Sequence, residues 1–519
     1  MKEDFVLRVT QPVAPENKKE DMENVKLEDA LDIAGAGRYQ IIHCSLMLAI
    51  LLSAMLEMIG IAFVLPAAAC DLDIPDSLKG ILTSIPNIGV IITAPFWGRA
   101  ADSHGRKPVL LLSTAAAGLM GFLAAFMPNL LSFALCKFAE SLFLSCPSSL
   151  CFPYACEIMP KERRDKTVLI TNGLLNMLAS LNPILAWAIL PFSWEYQMGI
   201  ITFKSWRLLT LAYSLPLLLS AIWMTTAVES PKFLMTKNKQ QETLKVLKRV
   251  YSVNTGLSEE NYSVKSLKNT MESSSFPKLQ NSDSDSTPNP KKESSLELLR
   301  LPHLKWLALT GFLMFGLFSL LNGLFLLAPD ALNKLMTGAS DDTGTICETI
   351  NQTPQNQTSS NCVDTISQDT FRIMVVSTII YGVLVTVGSF SPFSKKTLLV
   401  TMYSAVGVAC LTSGLSTNRL LVGITMSALQ ITALGIGPLT AYAVHLFPTR
   451  LRGTAVGAVM MFGRLGSAVG ANAAGYFLSV SCSSTFYGFT LLLFLCAALS
   501  FLLPGDHSNQ DNHTQAENR

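Results

Sequence analysis

The chain has 519 residues, 50% of them hydrophobic and only 15% charged, with 39 Lys and Arg against 37 Asp and Glu for a formal charge of +2. Soluble proteins carry roughly 25% charged residues, so the composition argues against a water-soluble enzyme, and the near-zero net charge leaves no basic field to attract nucleic acid. At roughly 20 apolar residues per membrane-crossing helix, about a dozen spans fit, with polar tails to spare.

The first forty residues are polar and include Lys18, Lys19, Glu20, Asp21 and Glu23. The apolar run that follows, 41–69, is too long for a signal-peptide core and reads as a retained first helix behind a cytosolic tail. Apolar stretches at 78–98, 109–128, 130–155, 167–192 and 206–227 bring the number to six. Six more follow a polar interval, at 304–328, 371–391, 397–416, 420–446, 454–479 and 485–503. The expected organisation is a tail (1–40), a six-helix bundle (41–228), a cytosolic linker (229–303), a second six-helix bundle (304–503) with a non-cytosolic loop (329–370), and a tail (504–519). Within the linker, 237–253 sets Leu244, Val246, Leu247 and Val250 among lysines, which suits a short amphipathic helix on the membrane surface. The stretch 273–295 is rich in Ser, Asp, Asn and Pro and is expected to be disordered.

Charge orients the spans. With the N-terminus inside, the cytosolic loops hold Arg99, Arg106 and Lys107, then Lys161, Arg163, Arg164 and Lys166, then Lys395 and Lys396, then Arg450 and Arg452. The opposite loops are acidic, with Asp71, Asp73 and Asp76 after the first span and Asp341, Asp342, Glu348 and Asp364 after the seventh. This asymmetry fits the positive-inside rule for twelve spans with both termini cytosolic.

The halves repeat one another. Glu157-Ile-Met-Pro160-Lys-Glu-Arg-Arg164 follows the fourth span, and His445-Leu-Phe-Pro448-Thr-Arg-Leu-Arg452 follows the tenth. Proline and arginine at a helix exit are also an ordinary stop signal, but the matched positions favour duplication. Parallel repeats of this kind place one central site between two bundles.

Between the second and third spans the chain reads Gly98-Arg-Ala-Ala-Asp102-Ser-His-Gly105-Arg106-Lys107. This resembles the G-x-x-x-D-x-x-G-R-[RK] signature of the major facilitator superfamily. The second-half counterpart, near 391–396, keeps only the basic pair. Val228-Glu229-Ser230-Pro231-Lys232-Phe233-Leu234 is similar to the P-E-S-P-[RK]-[FWY]-L segment of sugar-porter-type members, and Tyr154-Ala-Cys-Glu157 with Pro160 and Arg164 resembles their Y-x-x-E-x-x-P-x-x-x-R pattern, with Phe152 where they have proline. Phe63-Val-Leu-Pro66, Asp76-Ser-Leu-Lys79-Gly80, Trp187-Ala-Ile-Leu-Pro191, Tyr196-Gln-Met-Gly199 and Trp206-Arg207 are similar to the synaptic vesicle glycoprotein 2 branch. The loop after the seventh span is far shorter here than in the vertebrate vesicle proteins.

The resemblance implies an all-α membrane protein of the major facilitator superfamily fold, twelve transmembrane helices in two six-helix bundles around a central substrate cavity. It also implies a cytosolic latch of Gly98, Asp102, Gly105, Arg106, Lys107, Glu157, Arg164, Glu229 and Arg452. The implied activity is alternating-access transport of a small organic solute or organic ion, with proton coupling as an option and a monomer sufficient. The alternative is a non-transporting vesicle membrane protein that acts as a receptor or trafficking partner. No cofactor or metal spacing is present, and the partners expected are a solute and the lipid bilayer of a plasma or vesicle membrane.

Charges within spans are costly and need a reason. Glu57 in the first span is either a proton-coupling or cation-binding group or a partner for a neighbouring helix. Lys137 and Glu140, three apart on the fourth span, share a face and can neutralise each other. Arg464 either meets an anionic group in the cavity or snorkels to the cytosol. Asn87, Asn176, Asn182, Asn322, Tyr381, Gln430 and Tyr442, with Trp187 as an aromatic wall, are candidates for the cavity or for helix packing. Gly435-Ile-Gly437-Pro438 marks a bend in the tenth span. Seven cysteines lie in or beside spans, but Cys347 and Cys362 share the non-cytosolic loop, where a disulfide between them is expected. That loop carries glycosylation sequons at Asn351 and Asn356, the latter favoured because Pro354 follows the first.

Overall fold

The computed structural model describes residues 22–192, 194–199, 201–268, 300–301, 303–337, 345, 347–348, 366–389, 394–447 and 452–504. Two short helices aside, the first half runs α1 (Leu27–Ala34), α2 (Arg38–Ala68), α3 (Asp76–His104), α4 (Arg106–Ala124), α5 (Leu130–Glu157), α6 (Arg164–Leu178), α7 (Leu181–Ile189) and α8 (Ser205–Met224). The linker forms the two short ones, α9 (Pro231–Thr236) and α10 (Gln240–Thr255). The second half runs α11 (His303–Asn322), α12 (Ala328–Thr337), α13 (Gln368–Ser389), α14 (Lys395–Leu415), α15 (Arg419–Ala428), α16 (Ile436–His445), α17 (Arg452–Val480) and α18 (Cys482–Ser500). Twelve helical segments among the described residues are long and apolar enough to cross a membrane. All twelve expected stretches fall on them.

Local chemistry sets many of the ends. Asn129 caps α5 by accepting from Ser132 N–H, and Ser394 caps α14 by accepting from Thr397 N–H, filling donors that the first helical turn leaves unpaired. Ser230 caps α9 with Pro231 at its first position, and Gly256 ends α10 in the left-handed region at φ 76°. Along α10 the buried Thr243, Leu247 and Val250 recur at helical spacing, so the amphipathic linker helix is present.

Four features depart from the sequence reading. Residues 22–25 belong to folded structure, because Met22 and Val25 bridge in parallel to Val264 and Leu267 of the linker. The loop after the seventh span opens with the ten-residue helix α12. A hairpin, β1 (Tyr196–Met198) with β2 (Ile201–Phe203), sits between the fifth and sixth spans. The fifth span is broken between α6 and α7, and the tenth tightens into a 3-10 stretch over Leu429–Gly435 just before the Gly435–Pro438 bend. The linker stretch 273–295, Asn351, Asn356, Cys362 and Pro448 lie outside the described residues, as does the side chain of Arg452.

Small residues let the bundles touch. A Cβ on Gly80 of α3 would lie 2.8 Å from the Cα of Gly475 on α17, so these helices cross backbone to backbone. Gly466 and Gly470 of α17 similarly pack on Phe315 and Ser319 backbone of α11. At the other ends of α3 and α17, a Cβ on Gly98 or Gly457 would meet nothing within 4 Å. Helices α3 and α17 are therefore in contact on the face of α12 and parted towards the face that carries Arg106 and Arg164, the basic face, where Gly173 of α6 still lies close to Thr386 of α13.

Candidate functional site

Where the bundles face each other, α2, the α6–α7 break, α11, α13 and the 3-10 stretch enclose a cavity of about 170 Å³. Five of the polar residues singled out by sequence line it: Asn176, Asn182, Asn322, Tyr381 and Gln430, joined by Thr378. Asn176 Nδ2 donates to Asn172 O (2.8 Å), and Tyr381 Oη donates to Asn176 Oδ1 across the bundles at a long 3.4 Å. Asn182 Nδ2 donates to Leu56 O (3.2 Å), Asn322 Nδ2 to Ser467 Oγ (2.9 Å) and Gln430 Nε2 to Thr378 Oγ1 (3.3 Å). Asn182 Oδ1 and Gln430 Oε1 are buried without a partner. Buried acceptors left unpaired cost about 1–3 kcal/mol each, so the cavity is set to receive donors.

The other candidates lie elsewhere. Glu57, Lys137 and Glu140 form one buried cluster inside the first bundle, with Lys137 Nζ 2.6 Å from Glu57 Oε2 and 2.9 Å from Glu140 Oε2. Thus Lys137 neutralises Glu140 as its spacing implied, but it also holds Glu57, which leaves two carboxylates on one ammonium. Gly121 makes room for them, since a Cβ there would lie 2.7 Å from Glu57 Oε1. Asn87 is buried with its Oδ1 unpartnered but does not line the cavity. Trp187 Nε1 donates to Gln368 Oε1 (3.1 Å) at the closed face, and Tyr442 Oη donates to Pro504 O (3.0 Å). The Arg464 guanidinium lies over the Phe318 ring, 5.7 Å from its centroid.

The sequence-implied latch comes together at the basic face, chiefly within the first half. Arg106 grips Glu157 with Nε (3.1 Å) and Nη2 (3.2 Å), and its Nη1 reaches Asp102 Oδ1 (3.1 Å). Glu229 Oε1 accepts from the backbone N–H of Arg106 (2.9 Å), Lys107 (3.3 Å) and Ser230 (2.8 Å). Gly105 is required here, because its φ is 108° and a Cβ would come within 2.3 Å of Glu229 Oε2. Arg164 pairs through both terminal nitrogens with Glu28 of α1 (3.2 and 2.7 Å). Asp102 is 76% exposed and forms the outermost member.

Three elements of the closed face were missed by sequence reasoning. Lys79 Nζ of α3 lies 2.8 Å from Asp330 Oδ1 of α12, an ion pair that bridges the two bundles. Its signal was a lysine at the start of an apolar span. Arg207, almost fully buried, donates to Asp71 Oδ2 (3.0 Å), Ala125 O (3.0 Å) and Met127 O (2.8 Å). The disulfide is a correction: Cys347 is bonded to Cys482 at the head of α18 rather than to Cys362, and Cys70 is also disulfide-bonded. Proximity in sequence suggested the wrong partner because Cys347 lies against the head of α18.

The fold and the cavity define a membrane protein whose described residues form twelve candidate spans in two bundles with a polar-lined space between them. A family model described as Major Facilitator Superfamily matches residues 46–338 and 365–518, and the chain belongs to that family. It is 31% identical over 268 residues to synaptic vesicle glycoprotein 2C of Rattus norvegicus, covering 48% of this chain and 36% of that one. It is 30% identical over 242 residues to synaptic vesicle glycoprotein 2A of the same species, covering 46% and 32%. The match thus spans about a third of these relatives' length. Among solved structures, the partially occluded inward-open xylose transporter XylE from E. coli superposes with a TM-score of 0.60 at 14% identity, over 90% of this chain and 99% of that one. A D-xylose-proton symporter gives 0.60 at 14%, over 89% and 97%. At such identity these two show the fold alone.

Proposed function

We propose that the protein carries a small, uncharged organic solute across its membrane by alternating access through the cavity between the bundles. The observation that carries this reading is the lining itself. Both bundles contribute amides and the second adds hydroxyls, two acceptors are unpartnered, and no Asp, Glu, Lys or Arg lines the cavity among the described residues. An organic ion would enter a low-dielectric site with no counter-charge, at high cost. Of the solute classes the sequence left open, the uncharged one is favoured.

The basic face is read as cytosolic, from the concentration of Lys and Arg there, so the resting state faces inward. Lys79–Asp330 and the Gly80–Gly475 crossing act as the outer closure, and the Arg106–Glu157–Glu229 network braces the inner end of the first bundle. Proton coupling is assigned to the Glu57–Lys137–Glu140 cluster, because two carboxylates against one ammonium leave an excess negative charge in an apolar interior. A proton exchanged there neutralises the excess. The membrane is a vesicle or plasma membrane.

The test is uptake into proteoliposomes with a panel of neutral and charged organic solutes, with and without a pH gradient. Saturable uptake of neutral solutes is expected, and its dependence on the gradient should vanish in Glu57→Gln. Gradient-independent uptake by the unmodified protein would remove the coupling role. Absence of uptake across the panel would favour a receptor or trafficking role instead.

A further inference from the structure

A second cavity, about 380 Å³, lies between α13 and α15. Its walls include Val376, Ile380, Leu384, Leu420 and Ile424, all strongly exposed large apolar side chains on membrane-spanning segments. Exposed apolar surface within a span faces lipid, so this groove opens to the bilayer. Arg372, the fifth residue of α13, stands at its mouth and is paired with Asp369 (3.3 Å).

The groove adjoins the central cavity. Tyr381 lines both, and its phenol makes only the long 3.4 Å hydrogen bond to Asn176. Ser427 lines the groove, is 5% exposed, and its Oγ has no hydrogen-bond partner. Three residues further, Gln430 lines the central cavity with Oε1 unpartnered, and across from it stands the unpartnered Asn182 Oδ1. Between Ser427 and the bend, the chain has left α-helix for the 3-10 stretch Leu429–Gly435. A 3-10 segment inside a helix is a common hinge. Unpaired polar atoms therefore run from the lipid-facing groove into the cavity, in surroundings that are otherwise apolar.

We propose that the groove between α13 and α15 admits an uncharged single-chain amphiphile from the bilayer, its hydrocarbon between the two helices and its hydroxyl handed from Ser427 to Gln430 past Tyr381. The chemistry is selective in two respects. The apolar walls require a hydrocarbon body, and a charged head would meet no counter-ion beyond the mouth. Ser427 can donate to or accept from a hydroxyl, and Gln430 Oε1 and Asn182 Oδ1 can only accept. The proposal rests on the transport reading for the inner cavity and adds the membrane as the source of the solute.

The experiment uses the full chain in liposomes with a photoactivatable long-chain alcohol, carrying a diazirine in its chain, and reads labelled peptides by mass spectrometry. Label is expected on α13 and α15 and on the central-cavity segments of α2 and α7. Ile424→Trp, which fills the groove from one wall, should abolish label in both regions, and Val376→Trp, from the other wall, provides a second block should the first fail to fold. Ser427→Ala should reduce central label about threefold, the loss of one neutral hydrogen bond. Central label that persists in both groove-filled variants would overturn the proposal. No label in the unmodified protein while the neutral-solute panel shows saturable uptake would overturn the membrane route and leave alternating access standing. No label and no uptake would remove both.

Discussion

The two bundles start their third helices alike. Lys107, at the head of α4, donates to the carbonyls of Thr225 (2.9 Å) and Ala227 (2.6 Å) beyond α8. Lys396, at the head of α14, donates to those of Phe501 (2.6 Å) and Leu503 (2.9 Å) beyond α18. One lysine thus satisfies the free carbonyls at the end of the sixth helix in each half, where a cation is favoured. Around this shared device the halves diverge. The first adds Glu157, Glu229 and Asp102 around Arg106 and buries Glu57, Lys137 and Glu140. The second has His445 where the first has Glu157, and Arg464 rests on a ring. A duplicated fold has kept a structural cap in both copies and concentrated its charge networks in one.

The sharpest way to break this comparison is Lys137→Met. Removing the ammonium leaves two carboxylates uncompensated in the core, a loss of about 3–5 kcal/mol, and monodisperse protein in detergent should disappear. Arg464→Met in the second half removes a half-buried cation over the Phe318 ring and should cost less, about 2 kcal/mol at most, as read by thermal unfolding.

Smaller effects sharpen it. Arg106→Ala removes the bidentate pair with Glu157, about 2–3 kcal/mol, whereas Lys396→Ala should cost about 1 kcal/mol. Equal losses in these two variants would contradict a latch confined to the first half. Lys79→Ala unlocks the closed face without touching either network. Labelling of a cysteine placed beside Gly475 should rise about fivefold, within the usual range of a coupling between two states, and unchanged labelling would remove Lys79 from the closure. The smallest effect concerns α1, where burial, with Glu162, Glu28 and Asp29 nearby, raises the Asp32 carboxyl above 3.8. Its stabilising contribution is full below that ordinary value and lost as pH rises through the raised one. Asp32→Asn relieves the penalty at neutral pH, and proteolysis between α1 and α2 should slow about twofold.

Much of this arrangement was legible in residue order. Runs of apolar side chains placed twelve spans, because lipid tolerates few other backbones. The Gly98–Lys107, Tyr154–Glu157 and Val228–Leu234 motifs marked Arg106, Glu157 and Glu229 through their resemblance to family signatures. The Glu57–Lys137 contact was not legible, for it joins residues 80 apart that share no local period. Nor were the bundle-bridging Lys79–Asp330 pair and the Cys347–Cys482 bond, whose partners are 251 and 135 residues apart. The hairpin at 196–203 and helix α12 escaped notice because short elements outside spans carry weak patterns.

The sequence by itself determined what is local or statistical: lipid as the main solvent, the twelve spans, the side that gathers Lys and Arg, the repeat, and the residue types available to a site. Only the tertiary structure decided which of those residues meet. It gathered Asn176, Asn182, Asn322, Tyr381 and Gln430 around one cavity, sent Trp187, Tyr442 and Arg464 elsewhere, and drew Glu57 to Lys137. The reason is geometric. A helix fixes the direction of a side chain about its own axis, but which neighbour that direction meets depends on how all twelve helices pack.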